Sequence, residues 1–254
     1  MPTVQDWLDA VRSSHRRLRR VLEPLAADEV AGPSYHDWSI AQVASHLGSQ
    51  AEIFALFLEA GLSGSEPPGG EVFSGVWARW DGLEPSEQQR QSLAADEQLV
   101  DRLEAVSPAQ QRSFALALFG SQVDFSGFLA MRLAEHAVHT WDIAVALDPR
   151  ATLAPDATVL LVDGLPVLAA RAGRAPDGLH PTVVLTRAPD RVFSLTATEG
   201  KVALEPTDDP GAEPLTLPAE ALIRLVHGRL DAEHTPADVD ADAVAALRPA
   251  FPGF

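Results

Sequence analysis

The first half of the chain consists of stretches with helical apolar periodicity, separated by short polar loops. In four segments the apolar side chains recur at spacings of three and four residues, as in a helix that buries one face. Ser39 and Gln42 fit a capping box at the start of the second segment. Helices of this length predict an antiparallel four-helix bundle. The four segments are 4–26, 39–60, 86–106 and 125–147.

Beyond residue 150 the pattern changes to short β-branched runs. Segments 181–187 and 191–200 are typical of strands, and the second alternates with period two before ending in turn residues. Helical patterns also occur here, at 154–170, 216–231 and 239–251. We therefore predict the α+β class, with a helical bundle domain over 1–150 and a smaller α/β domain over 151–254.

Composition narrows the possible partners. The 254 residues are 46% apolar and 22% charged, as in globular proteins. A net charge of −17 disfavours nucleic acid and anionic membranes as partners. No run approaches the roughly 18 apolar residues of a membrane span, and no apolar run follows the N-terminal basic residues. A cytoplasmic protein is expected.

The chain contains no cysteine. Disulfides, thiolate metal sites and a cysteine nucleophile are therefore excluded. Any thiol chemistry must use a thiol that a small molecule supplies.

Three residues carry the strongest chemical signal: His46 in VASHLGS, and Glu135 and His139 in RLAEHAVHTWD. Glu135 and His139 are four residues apart on a predicted helix, so their side chains share one face. Two imidazoles and a carboxylate from two helices suit a divalent metal, with zinc first and nickel or manganese also possible. The alternative is a buried salt bridge between Glu135 and Arg132, which leaves His46 unexplained.

Other polar residues near these three invite interpretation. Asp142 is placed to accept the free imidazole N–H of His139, although an ordinary solvated aspartate fits equally well. His136 lies about 100° round the helix and is not expected to bind the same metal. His15, among arginines, is expected at the surface. His36 and Trp38 are predicted to line the pocket mouth, or Trp38 to anchor the start of the next helix.

The segments HDWSIAQVASHLG and RLAEHAVHTWDIAVAL resemble the mycothiol-dependent maleylpyruvate isomerase family, within the DinB-like four-helix superfamily. The family carries a tryptophan shortly before a helix with the first histidine ligand, then E-x-x-x-H-x-x-D on another helix. LPAEALIRLVHGRLD and the closing FPGF resemble the family's smaller C-terminal α/β domain. The matching positions of the bundle are Trp38, His46, Glu135, His139 and Asp142.

The resemblance implies a metal ion, usually zinc, that is held by His46, Glu135 and His139 and has an open coordination position for the thiol of mycothiol. The activated thiol would attack an electrophilic small molecule, in an isomerase or an S-transferase, with Asp142 in support. It also implies that Arg229 binds an acidic substrate through its guanidinium fork. The alternative is an arginine that bonds the last carbonyls of its helix.

Two further interpretations stay open, a non-enzymatic metal-containing binding module and a metal-dependent hydrolase with His36 or Asp142 as base. Relatives often carry Pro-Gly in the loop before Trp38, where this chain has SYHD. This difference favours a substrate other than maleylpyruvate. The protein is expected to be a monomer or a homodimer.

Overall fold

The computed structural model describes residues 2–118, 120–198 and 200–253. The chain divides into two units, the first ending at Ala151 and the second beginning at Thr152. That each unit is an independent domain stays a prediction. Among the described residues, no helix is both long and apolar enough to span a membrane.

The first unit is helical and is built around four long helices. The helix Ile40–Ser63 packs against Pro85–Glu104, and Val4–Leu22 packs against Phe125–Leu147. The four predicted helices are confirmed, although the first ends at Leu22 rather than at Ala26. The elements are α1 Val4–Leu22, α2 Ala27–Val30, α3 Ile40–Ser63, α4 Gly70–Asp81, α5 Pro85–Glu104, α6 Pro108–Ser113, β1 Leu116–Leu118, β2 Ser121–Val123 and α7 Phe125–Leu147.

Helix α3 begins where its sequence predicts, but it continues to Ser63 rather than ending at residue 60. The Ser39 hydroxyl accepts the Gln42 backbone N–H at 3.1 Å, and the Gln42 side chain accepts the Ser39 N–H at 2.8 Å, which confirms the capping box. Gly64, at φ 69°, ends the helix in the left-handed region. Leu47 is fully buried in a core cluster with residues of α1 and α7, and it fixes the face that α3 turns inward.

Helix α4 and the β1–β2 hairpin were not predicted. Helix α4 follows the Pro- and Gly-rich loop after α3 and places Trp80, 1% exposed, against that helix. The contact is possible because position 48 is glycine: a Cβ there would lie 2.2 Å from the Trp80 ring. Long-range packing of this kind leaves no periodic signal in the sequence.

The second unit contains a four-stranded sheet. Its strand order is β5-β4-β3-β6, with β3 and β6 parallel and the other pairs antiparallel. The α+β class is confirmed. The elements are α8 Pro155–Leu161, a 3₁₀ turn Val162–Gly164, α9 Leu165–Ala172, β3 Thr182–Arg187, β4 Arg191–Thr198, β5 Lys201–Pro206, β6 Leu215–Pro218, α10 Ala219–Val226, α11 Ala241–Leu247 and a 3₁₀ turn Arg248–Ala250.

Two helix predictions for this unit were too long. The helix predicted over 154–170 is split, because Pro166 at the start of α9 lacks the N–H that a continuous helix needs. The helix predicted within 216–231 is entered through Pro218 as expected, but it spans Ala219–Val226 and ends before residue 231. Residues before it pair with β3 as strand β6, and Gly228 after it has φ 72°.

Candidate metal centre

The structure brings His46, Glu135 and His139 together. His46 Nε2 lies 2.6 Å from Glu135 Oε1, and His139 Nε2 lies 3.5 Å from the same oxygen. The two imidazole centroids are 4.4 Å apart. One ligand atom from each residue lies within 4.8 Å of the other two, so the three can hold one metal ion.

The three side chains lie at the edge of the helical unit rather than in its core. The exposed fraction is 21% for the His46 side chain, 34% for Glu135 and 11% for His139. A fully enclosed site would admit only the metal. This partial exposure leaves a side from which an external ligand can approach.

Asp142 orients His139. Its carboxylate Oδ2 lies 2.8 Å from His139 Nδ1, and both side chains are buried or nearly so. When Nδ1 donates to this carboxylate, the Nε2 lone pair is left for a metal, as in the carboxylate–histidine pairs of known metal sites. The structure therefore places Asp142 where the sequence predicted contact with His139; its part in catalysis stays a prediction.

The surroundings of the three groups favour an anionic Glu135 carboxylate and a neutral His46 imidazole, whereas they favour the protonated form of His139. Burial acts to raise the pKa of Glu135, but hydrogen bonds with His139 and His46 outweigh it and hold that pKa well below its usual range. Burial lowers the pKa of His46, against the hydrogen bond with Glu135. For His139, burial is overcome by the bonds to Asp142 and Glu135, which raise its pKa.

A loop before α3 lies against the site. Trp38 is 43% exposed; its ring centroid is 5.4 Å from that of His46 and 6.2 Å from that of His139, and it is nearly parallel to the latter ring. The Ser34 N–H donates to the Trp38 carbonyl at 2.8 Å, and the Ser34 hydroxyl donates to the Asp142 carbonyl at 2.8 Å. These bonds hold Trp38 beside the two histidines.

His36 lies in the same loop. Its backbone has φ 59°, in the left-handed region that few side chains adopt, and its ring centroid lies 4.0 Å from that of Tyr35. Tyr35 in turn meets the Trp141 ring edge-on at 5.0 Å. The predicted role of His36 at the pocket mouth stays a prediction.

Arg229 lies in the second unit, just after α10. Its guanidinium Nη1 donates to the His227 carbonyl at 2.8 Å, and its backbone N–H donates to the Arg224 carbonyl at 2.7 Å. The first contact is the helix-end bond that the sequence offered as an alternative. Substrate binding by Arg229 stays a prediction.

One alternative and one expectation about neighbouring residues were wrong. The alternative salt bridge between Glu135 and Arg132 is not formed, because Arg132 Nη2 donates to Asp96 Oδ1 at 2.6 Å instead. His15 is 2% exposed rather than at the surface, because its Nδ1 lies 2.7 Å from Asp96 Oδ2 inside the helical unit.

The sequence interpretation missed Asp96 although a signal was present. Asp96 occupies a buried position of α5 in register with Ser92, Leu99, Val100 and Leu103. A carboxylate on an apolar stripe requires a charged or hydrogen-bonded partner.

Comparison with known proteins gives a family and a fold. The model of the mycothiol maleylpyruvate isomerase N-terminal domain matches residues 11–144, more than half of the 254-residue chain. Its span includes the three clustered residues and Asp142. No curated protein sequence matches the chain.

Two solved structures resemble the chain over nearly its whole length. One is the crystal structure of the mycothiol-dependent maleylpyruvate isomerase, with 17% sequence identity, 90% coverage of each chain and a TM-score of 0.65. The other is a histidine-to-alanine mutant of that isomerase, with 16% identity, 90% coverage of each chain and a TM-score of 0.65. These structures show a shared fold, and the family model shows that the chain belongs to the mycothiol maleylpyruvate isomerase family.

Proposed function

We propose that the protein is a metal-dependent enzyme that activates mycothiol, a low-molecular-weight thiol, for addition to an electrophilic small molecule. The observation that carries the proposal is the convergence of His46, Glu135 and His139 within 4.8 Å at a partly exposed edge of the helical unit. Membership of the mycothiol maleylpyruvate isomerase family supports the choice of thiol.

The donor set fits zinc. Two imidazole nitrogens and one carboxylate oxygen are the three protein ligands of many catalytic zinc sites, which keep a further position for an outside ligand. His46, Glu135 and His139 would hold the ion, and the Asp142 carboxylate at 2.8 Å would keep His139 in the tautomer that binds metal. A bound zinc ion lowers the pKa of a thiol and so supplies a thiolate at neutral pH.

The chain itself has no thiol that would compete for this position, because it contains no cysteine. The thiol therefore comes from the small molecule. Trp38 lies beside both histidines and shields one side of the site from water. We assign Trp38 and His36 to substrate binding, and Arg229 to binding an acidic group of the substrate.

Two reaction outcomes follow from thiol addition to a conjugated electrophile. In an isomerase, the new carbon–sulfur bond forms, the former double bond rotates, and elimination returns the thiol unchanged. In an S-transferase, the carbon–sulfur bond is kept and one thiol is consumed per turnover. Measuring free thiol during turnover distinguishes the two. We place either enzyme in the cytoplasm.

Calorimetric titration of mycothiol into the zinc-loaded and the zinc-stripped protein tests the proposal. We expect heat of binding only in the presence of zinc. Absence of heat in both samples, with zinc content verified, would rule out mycothiol.

The histidine ligands are tested separately by His139→Ala. This variant should lose zinc and remain folded, whereas His180→Ala, a change at an exposed histidine of the second unit, should keep one equivalent. Full zinc retention by His139→Ala would contradict the assigned ligand set.

A further inference from the structure

A second cluster of charged side chains lies inside the helical unit, next to the helix that carries two of the assigned ligands. At its centre is Asp96 of α5, which is 0% exposed. Asp96 Oδ1 accepts a bond from Arg132 Nη2 at 2.6 Å. Asp96 Oδ2 lies 2.8 Å from His136 Nε2 and 2.7 Å from His15 Nδ1. We call these four residues the Asp96 hub.

The hub connects all four long helices. Asp96 belongs to α5, Arg132 and His136 to α7, and His15 to α1. The remaining helix, α3, is reached through an aromatic contact, because the Arg132 guanidinium lies 5.4 Å from the centroid of the Phe54 ring. A second bond to α1 runs from His136 Nδ1 to the Ser14 hydroxyl at 2.7 Å.

Stability alone gives a weak reason for such a hub. Removing charges from water is costly, and apolar replacements of buried ion pairs are often as stable. Here Arg132 Nε and Nη1 are buried and have no hydrogen-bond partner among the described residues. A buried polar network can instead specify one defined arrangement of the helices that it joins.

The element whose arrangement matters most here is α7. Arg132 precedes Glu135 by three residues and His136 follows it by one, so the two anchor points lie one turn apart and flank a ligand in the sequence. Two anchors at this spacing, both held by Asp96, fix the rotation of the helix and its position along its axis. A small rotation of α7 would move Glu135 and His139 away from His46.

We infer that Asp96 is a positioning residue of the metal centre: by holding Arg132 and His136 it sets the rotation of α7 and thus places Glu135 and His139 against His46. The inference rests on the proposed metal site. Asp96 contacts neither the metal nor the substrate, and it acts through the helix that carries the ligands.

Metal binding by the variant Asp96→Asn tests the inference. Asparagine has nearly the shape of aspartate but lacks the charge. In the wild type the nitrogen groups of Arg132, His136 and His15 face carboxylate oxygens, and in the variant one of these oxygens is replaced by an N–H₂ group, which cannot accept their hydrogen bonds. Zinc affinity is measured by competition with a chelator, and the absorption spectrum of the cobalt-loaded protein reports ligand geometry. Both are recorded at a temperature at which circular dichroism shows the variant folded.

Glu97→Gln provides the matched control. Glu97 is the next residue of α5 and is part-exposed. Its carboxylate lies 2.7 Å from His15 Nε2, and among the described residues it forms no hydrogen bond with Arg132 or His136. We expect zinc affinity to fall about tenfold in Asp96→Asn, the lower end of the effect of outer-sphere substitutions, with a changed cobalt spectrum. Glu97→Gln should match the wild type in both measurements.

Unchanged zinc affinity and an unchanged cobalt spectrum in folded Asp96→Asn would overturn the inference. This holds even if the melting temperature of the variant fell, because the Asp96 hub would then stabilise the fold without positioning the ligands. If Asp96→Asn does not fold, Arg132→Lys is measured in the same way, and wild-type affinity in that variant overturns it too. A wild-type protein that binds neither ion would overturn the proposed metal centre and the inference with it.

Discussion

The close approach of Trp80 to Gly48 predicts that Gly48→Ala destabilises the helical unit. A Cβ on Gly48 would lie 2.2, 2.4 and 2.8 Å from three carbons of the Trp80 ring. The ring has little room to move away, because it is 1% exposed and its indole N–H donates to Glu52 Oε1 at 3.0 Å. The clash must therefore shift either the ring or α4 as a whole.

Two opposing effects set the magnitude. Alanine is favoured over glycine in the interior of a helix by about 1 kcal/mol. Overpacking a buried site costs about 1–3 kcal/mol, and a rigid ring with three carbons in the way places this site at the upper end. We expect the free energy of unfolding to fall by about 2 kcal/mol.

Guanidinium unfolding followed by circular dichroism measures this change, with Gly75→Ala as the control. Gly75 is also helical, but nothing lies within 4 Å of a Cβ built on it. That variant should be more stable than the wild type by about 0.5–1 kcal/mol. In a Trp80→Ala background, Gly48→Ala should become stabilising as well. Equal stabilisation by Gly48→Ala and Gly75→Ala in the wild-type background would refute the reasoning.

Two further predictions concern buried carboxylates. Asp142→Asn should weaken zinc binding about 10–100-fold while the protein stays folded, because the Asp142 carboxylate accepts a hydrogen bond from His139 Nδ1 at 2.8 Å. Competition with a chelator measures the zinc affinity, and wild-type affinity in the variant would contradict the orienting role of Asp142. Burial acts to raise the pKa of Asp96, but the charges of His136 and Arg132 outweigh it and hold that pKa well below its usual range. Its ionised form therefore stabilises the fold at pH values above its unfolded pKa of about 3.9, and this contribution is lost as the pH falls towards the folded pKa. Urea unfolding is measured between neutral and acid pH. The free energy of unfolding should fall less on acidification in Asp96→Asn than in the wild type, and equal falls would contradict the stabilising role of ionised Asp96.

Local sequence signals predicted the helices that carry the site. Helix α7 spans the predicted Phe125–Leu147, because its apolar spacing is regular and it contains neither proline nor an interior glycine beyond its first turn. The i, i+4 spacing predicted that Glu135 and His139 share a face. That His46 faces them depends on how α3 and α7 pack, which the family resemblance implied and helical periodicity alone could not.

Features that depend on distant parts of the chain were not predicted. Asp96 meets partners that are 36 and 81 residues away in the sequence, far outside a helical window. Strand β6 was not predicted because Leu215–Pro218 is too short to show alternation, and its strand conformation comes from parallel pairing with β3. Helix α4 begins inside the glycine pair Gly69–Gly70, which suggested a loop, and its packing on α3 depends on Trp80 fitting over Gly48.

Asp142 uses two different groups for two different purposes. Its carboxylate meets His139, whereas its backbone carbonyl accepts the Ser34 hydroxyl. Through Ser34, the loop that carries Trp38 is thus tied to the peptide backbone of α7. A bond to a backbone carbonyl does not depend on which side chain stands at position 142, so Asp142→Asn can alter the orientation of His139 and leave this bond in place. The attachment of the loop and the orientation of the histidine can therefore change independently, although both use the same residue.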